Sequence, residues 1–403
     1  MSENWPFVYL SELISIKKGH LNEKNLFVTD NITFIKPKQI QSGYIENIKE
    51  LSRNSPALQK RSFLKVERGD LLISLEGSSL GNVAIYNEEA TALAYKGVGC
   101  INIYNPSLLN KKYLFYILQS SYLRRMFKKF NINTNSSVLR NLYLESIKIP
   151  LPDLDKQKRI VNDLLKIEEI TQKRKKSKEL IYNYEKALFI ELFGHPQFNP
   201  RKWPLVKLGE IITINPSKRD LFNTNFNINS KAPFLRMMDV SNEGKVNNLS
   251  NEITINKAMK STYCIFKNND VLLAKISPSF ENGKGAVIQN LDANFGFGST
   301  EFFVLRPGIH ARPQWLHHTF RFEYIRAIAI NSMVGNSGRL RLSASFLKNL
   351  EVPFPPTSIQ EEFESYIAGM STILSRQTES NKKIENLFNS YLTNLFKGIK
   401  LRG

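Results

Sequence analysis

Only two cysteines occur in the 403 residues, Cys100 and Cys264, at places that do not correspond in the two halves of the chain. Two thiols so placed exclude a disulfide framework and are expected to be buried small hydrophobes. Histidine is scarce too: His20, His195, His310, His317 and His318 include no helical pair four residues apart and no cysteine at ligand spacing. No structural zinc is therefore expected, and no metal or cofactor is expected on this chain. No apolar run reaches the ~18 residues of a membrane span. The opening MSENWPFVYLSELISIKKG lacks a basic segment followed by an apolar one, so a cytoplasmic protein is expected.

Catalytic signatures are also missing. There is no Gly-x4-Gly-Lys-Ser/Thr phosphate loop, which excludes an ordinary P-loop ATPase. Asn105-Pro106-Ser107 and Asn215-Pro216-Ser217 lack the second proline and the aromatic that an adenine methyltransferase uses to hold its target amine. Phe295-Gly296-Phe297-Gly298-Ser299 imitates a methyltransferase glycine loop, but no acidic ribose-binding partner follows at suitable spacing, and it reads as a glycine-rich strand turn. Pro152-Asp153 is not followed by the acid-x-Lys pair of a nuclease.

What the chain has in excess is positive charge. Fifty-six Lys and Arg against 36 Asp and Glu give a net +20, with a sequence pI near 9.7. In a chain without a lipid-binding helix, that balance favours nucleic acid as the partner. At this length, 42% hydrophobic residues suffice for two domains with their own cores.

The second feature in excess is repetition. From Pro150 to Gly194 the chain reads as one long helix, with Ile160, Leu164, Ile167, Ile181, Leu188 and Leu192 on a single stripe. The same plan returns 203 residues later without a gap. Ile149-Pro150-Leu151-Pro152 becomes Val352-Pro353-Phe354-Pro355, and Gln157 becomes Gln360. The second stripe is Phe363, Ile367, Met370, Leu374, Ile384, Phe388, Tyr391 and Leu395. Both stripes turn polar midway, at Thr171, Arg174 and Lys178 and at Gln377 and Asn381, which fixes register at a cost in stability. Prolines set the start of each helix. Gly194-His195-Pro196 ends the first, and Lys397-Gly398 ends the second. A helix that leaves one globular unit for another, followed by an equal one leaving the second, makes an antiparallel pair whose end returns to the first unit. About 38 residues at ~1.5 Å each give a rod of roughly 57 Å.

The segments before the helices share a framework. In the first, β-rich runs are expected at Asn31–Ile35, Leu71–Leu75, Val83–Tyr86 and Gly99–Tyr104, then a helix at Lys111–Phe130. Trp5-Pro6 answers to Trp203-Pro204, and Phe34-Ile35-Lys36 to Phe234-Leu235-Arg236. Gly69-Asp70-Leu71-Leu72-Ile73-Ser74 answers to Asn269-Asp270-Val271-Leu272-Leu273-Ala274. The loops between differ, which suggests one task performed on two targets.

This arrangement resembles the specificity subunit of a type I restriction-modification enzyme. The resemblance covers the whole chain. It is carried by Pro150-Leu151-Pro152 with Gln157, by Pro353-Phe354-Pro355-Pro356 with Gln360 and Glu361, by the Trp-Pro starts, and by the order and duplication of these motifs. The first copy reads Lys156-Gln157 where an acidic residue before the Gln is usual. The resemblance implies a mixed α/β fold: two α+β target recognition domains separated by two long antiparallel coiled-coil helices, an internal pseudo-twofold repeat. The domains would be 1–150 and 199–353, with the helices at 151–198 and 354–403. It implies a non-catalytic subunit that reads a bipartite asymmetric target in double-stranded DNA. Two modification subunits, holding S-adenosyl methionine, would dock on the helices, and restriction subunits could join them. Two rivals stay open: a non-catalytic scaffold with paired helices, and a recognition subunit of another restriction or methylation system.

Base edges are read by donors and acceptors on well-supported loops. Three equivalent places qualify in each half. The first is Lys36, Lys38 and Gln39, matched by Arg236 and Asp239. The second is the loop with Glu76, Ser78, Ser79 and Asn82, matched by Lys275, Ser277, Ser279, Asn282 and Lys284. The third is Asn135, Ser136 and Arg140, matched by Asn336, Arg339 and Arg341. The mid-helix run from Lys173 to Lys178, with Lys175 and Lys176 at its centre, repels itself locally, and DNA phosphates would offset that repulsion.

Overall fold

Each long helix starts where proline forbids an earlier start. In the computed structural model, which describes residues 5–19, 31–46, 50–52, 64–131, 147–219, 226–336 and 339–396, the helices run Leu154–Phe193 and Thr357–Leu395. A short strand precedes each and is pinned to the start of its own repeat. Lys148–Pro150 pairs antiparallel with Phe7–Tyr9, and Glu351–Pro353 with Leu205–Lys207. The first helix stops at Gly194, whose φ of +82° suits a residue without Cβ. Trp203 Nε1 then donates to the Phe193 carbonyl at 2.9 Å.

The chain divides into two compact units, residues 1–174 with 378–403 and residues 175–377. Both are built on one topology. The first has a four-stranded sheet in the order Ile14–Lys18, Val98–Ile103, Leu71–Ser74, Val83–Ile85. The second has the same sheet as Ile212–Ile214, Phe302–Pro307, Val271–Ala274, Gly285–Val287. A further four-stranded sheet in each contains one parallel pairing, Asn31–Ile35 with Ala92–Ala94 and Lys231–Leu235 with Gly296–Gly298. The segment read as a glycine turn is thus the interior of a sheet. Its glycines are there for space: a Cβ at Gly296 would meet the Phe266 ring at 2.5 Å. The helix expected at 111–130 is two, Lys111–Leu118 and Ser121–Asn131. The break falls at fully buried Ser120, whose Oγ accepts from Leu123 N at 3.3 Å and restarts the helix.

Within each unit the helix segments pair antiparallel. In the first, Tyr391 donates to Asp163 at 3.4 Å and Arg174 to Asn381 at 3.1 Å; in the second, Gln377 donates to Ser177 at 3.1 Å and the Phe189 and Phe363 rings lie 5.6 Å apart. Of the expected seam, Ile160, Leu164, Leu188, Phe363, Ile367, Met370, Leu374 and Leu395 are buried. Ile167, Ile181, Leu192, Ile384, Phe388 and Tyr391 are half-buried. Two of the expected polar seam positions differ. Lys178 is exposed and Ser177 takes its place, while Thr171 turns its hydroxyl back onto the Ile167 carbonyl at 2.9 Å. The end of the second helix enters the first unit's core, where Phe396 stacks on Tyr122 at 4.7 Å. Cys100 and Cys264 are half-buried, and burial pushes their thiols up to about 11 and about 12.

The repeated glutamine is the fastener between helix and domain. Fully buried Gln157 accepts from Asn110 N at 2.8 Å and donates to the carbonyls of Leu108 and Pro152, both at 2.8 Å. Gln360 does the same with Arg312 N at 2.8 Å, His310 O at 3.2 Å and Pro355 O at 2.8 Å. Only an amide offers an acceptor on one side and two donors on the other. Replacing either Gln with Glu turns an oxygen toward two carbonyls. Each buried group left unpaired costs about 1–3 kcal/mol, so a loss of about 3 kcal/mol or more is expected in the unit concerned. Denaturant unfolding checks this: Gln360→Glu should weaken residues 175–377 and spare the other unit, and Gln157→Glu the reverse.

Candidate nucleic-acid interface

The three places singled out in the second half converge. Ser277 N donates to Leu340 O at 2.9 Å and Leu342 N to Lys275 O at 2.8 Å, joining loop 275–284 to 336–341. Lys284 Nζ donates to Met237 O at 3.1 Å, joining the same loop to the turn Met237–Asp239. One edge of the domain therefore carries all of them.

In the first half the turn Pro37–Gln39 and the loop after Ser74 meet in the same manner. Ser79 Oγ donates to Pro37 O at 2.9 Å, and Asn82 Nδ2 donates to Ile40 O at 3.2 Å. Asn135, Ser136 and Arg140 lie outside the described residues.

The two turns are stapled alike. Lys36 N donates to Gln39 Oε1 at 2.7 Å, and Arg236 N to Asp239 Oδ2 at 2.9 Å. Asp239 also takes Arg236 Nε at 2.9 Å, Arg236 Nη2 at 2.8 Å and Asn251 Nδ2 at 3.2 Å. The Arg236 guanidinium holds its carboxyl below the usual range.

The candidates thus sort into two groups. Ser79, Asn82, Gln39, Asp239 and Lys284 make internal bonds that shape the loops. Ser277 also turns inward, donating its hydroxyl to Glu281. Lys38, Ser78, Asn282, Asn336 and Arg339 are exposed on the loops so shaped, as are Lys175 and Lys176 on the helix. Lys36 lies over the Tyr95 ring at 5.3 Å, and half-buried Lys275 over Phe303 at 5.7 Å. Exposed Arg341 is forked onto Glu301 at 3.0 and 2.8 Å, which keeps the Glu301 carboxyl below its usual range. A forked Arg of this kind can exchange its carboxylate for a phosphate or a guanine edge.

One polar cluster escaped the sequence reading. Glu185 stands on the apolar stripe between Ile181 and Leu188 and is buried. Its carboxylate lies 3.5 Å from Arg321 Nη1 and 3.7 Å from His318 Nε2. Beside it His317 is buried, and that burial holds its imidazole well below the usual histidine range, with the Arg321 charge adding to the effect. The signal was available: a Glu at a seam position implies a cation facing it. Among the described residues no group of three or more His, Cys, Asp or Glu is placed to hold a metal ion, and no helix is long and apolar enough to cross a membrane.

Two copies of one mixed α/β domain, each joined to half of a helix pair and each presenting a different loop set, define a tandem recognition architecture. The chain belongs to the type I restriction modification DNA specificity domain family, whose model matches residues 2–181 and again 200–389. It is 28% identical over 192 residues to the type I restriction enzyme MjaVIII specificity subunit of Methanocaldococcus jannaschii, covering 46% of this chain and 44% of that protein. It is 31% identical over 162 residues to the EcoEI specificity subunit of Escherichia coli, covering 40% of this chain and 26% of that protein. The matched stretches thus span less than half of these relatives. The fold matches the crystal structure of the type I restriction-modification system S subunit from M. genitalium with a TM-score of 0.56, at 14% identity, over 98% of this chain and 97% of that one.

Proposed function

We propose that this chain is the DNA sequence-specificity subunit of a type I restriction-modification complex, and that it does no chemistry itself. Each domain reads one half of a bipartite target with its three loop places. The helix pair sets the spacer and docks two modification subunits, which hold S-adenosyl methionine, and restriction subunits can join that assembly in the cytoplasm. The observation that carries this reading is the duplicated framework with unlike loops, in which the internal bonds are repeated and the exposed donors are not. Lys36 and Gln39 correspond to Arg236 and Asp239 in the stapled turn, whereas the loops after them differ, with Ser78 exposed on the first and Asn282 exposed on the second.

The test is binding of the full chain to random duplex DNA across a salt series. Affinity should fall linearly on logarithmic axes, and Lys175→Glu with Lys176→Glu should weaken all sequences alike and flatten the slope by about 2 units, near 0.9 per lost phosphate contact. A scaffold with incidental charge would show no such dependence. Methyl transfer by the purified chain alone would overturn the assignment of chemistry to a partner.

A further inference from the structure

In the unit formed by residues 175–377, the helical basic run and the recognition loop are two walls of one cleft of about 550 Å³. Lys175 and Lys178 line it from the long helix and Asn282 and Gly283 from the loop, and Lys245, Arg321 and Arg326 line it as well. Those five cations face three carboxylates, Glu179, Glu185 and Glu243, a local excess of +2. Glu185 lies 3.5 Å from Arg321 Nη1 and close to His318, and Glu243 is hydrogen-bonded to Ser241.

Arg326 and Lys245 are left over. Arg326 is half-buried, and its guanidinium makes no ion pair or hydrogen bond among the described residues. It lies against the loop at a glycine: a Cβ on Gly283 would come within 2.5 Å of Arg326 Nη1. The Lys245 ammonium has no carboxylate within ion-pair distance among the described residues. Burial, and then the charge of Lys178, holds it below the ordinary lysine range. Glu185 and Glu243 pull the other way on Lys245 but stand beyond ion-pair distance, and half-buried cations that outnumber their carboxylates are stabilised by an anion entering beside them.

We propose that this cleft seats backbone phosphates of the DNA adjoining the half-site, with Arg326 and Lys245 as the contacting groups. The proposal rests on the DNA-recognition reading and adds residues to it. Arg326 lies against the Asn282 loop and Lys245 lines the same cleft, so a strand passing from the recognition loops toward Lys175 and Lys178 through the cleft meets both. An Arg fork suits a phosphate better than a single ammonium does, and the contact carries no base information.

The experiment compares the full chain with Arg326→Gln, Lys245→Gln, the double variant and Arg326→Lys. Affinity for a cognate and for a random duplex is measured across a salt series, with thermal unfolding as the check on folding. Each Gln variant should weaken both duplexes by the same factor, roughly tenfold, the size of one charge-assisted hydrogen bond. Each should also flatten the salt slope by about 1, the double variant by about 2, and Arg326→Lys should restore the slope. If the double variant unfolds, the single ones carry the same test. Unchanged slopes in folded variants of a chain that itself binds DNA would overturn the proposal alone. So would a loss confined to the cognate duplex, or intact DNA binding with loss of a copurifying subunit, which would make the cleft a seat for an acidic protein segment. Absence of salt-dependent binding by the unaltered chain would instead sink the recognition reading beneath it.

Discussion

Replacing residues 175–377 with the same unit of a relative is expected to change one half of the methylated sequence and leave the other half intact. Each unit has its own core, one built around Leu10, Tyr113, Tyr116 and Leu164 and the other around Phe189, Trp315, Phe320 and Phe363. Their energetics should therefore be nearly independent. A mismatched base pair costs about 1–3 kcal/mol, roughly additively, so a foreign reader of several pairs should abolish recognition of the old half-site outright. The packing also fixes where to cut. A swap of 199–352 alone would make buried Gln360 depend on the donor's backbone at positions 310 and 312, and would leave Glu185 without a cation unless the donor keeps an arginine at position 321. Cutting at 174/175 and 377/378 keeps each polar pair whole, Arg174–Asn381 in the retained chain and Ser177–Gln377 in the exchanged unit. Sequencing the methylome of cells carrying the chimera decides it, and a change in both halves would show that recognition is not modular.

How much of this was legible beforehand follows from which features are local. Proline starts, the glycine stop and the apolar stripe are set within a few residues of one another, and the helices were readable to within a turn. Register between the helices was legible only in outline, because Ser177, not Lys178, meets Gln377, a choice made by side-chain reach and not by spacing. The Gln157 and Gln360 motif could be seen as a repeat but not understood, since two of the three partners of each lie nearly fifty residues away. The same holds for the candidate loops. That Asn282 shares a cleft with Lys175 and Arg326 depends on contacts across the fold that no periodicity encodes. Conversely, Ser79 and Asp239 have the chemistry of base readers, but both are buried and occupied in holding turns together.

Lengthening both long helices by four residues, one insertion beside Ser177 and the other beside Gln377, is expected to widen the preferred spacer by one or two base pairs without altering either half-site. Four residues add about 6 Å of rise and nearly one turn, so the seam keeps its facing side. DNA advances about 3.4 Å per base pair, which gives the expected increment. Both helices must be extended because they pair antiparallel in each unit. An insertion in one alone would slide Ser177 past Gln377 and separate Arg174 from Asn381, leaving polar groups opposite the wrong partners. The insertion belongs at these residues because the apolar packing on either side, Ile160 to Ile167 and Ile181 to Leu192, then stays within its own unit. A two-residue insertion would turn the stripe through more than half a circle and expose it, so that variant should lose stability or its copurifying subunits and not report on spacing. Mapping the methylated sites of the four-residue variant gives the answer. A folded, active protein with an unaltered spacer would mean that the helices join the two readers without measuring the DNA between them.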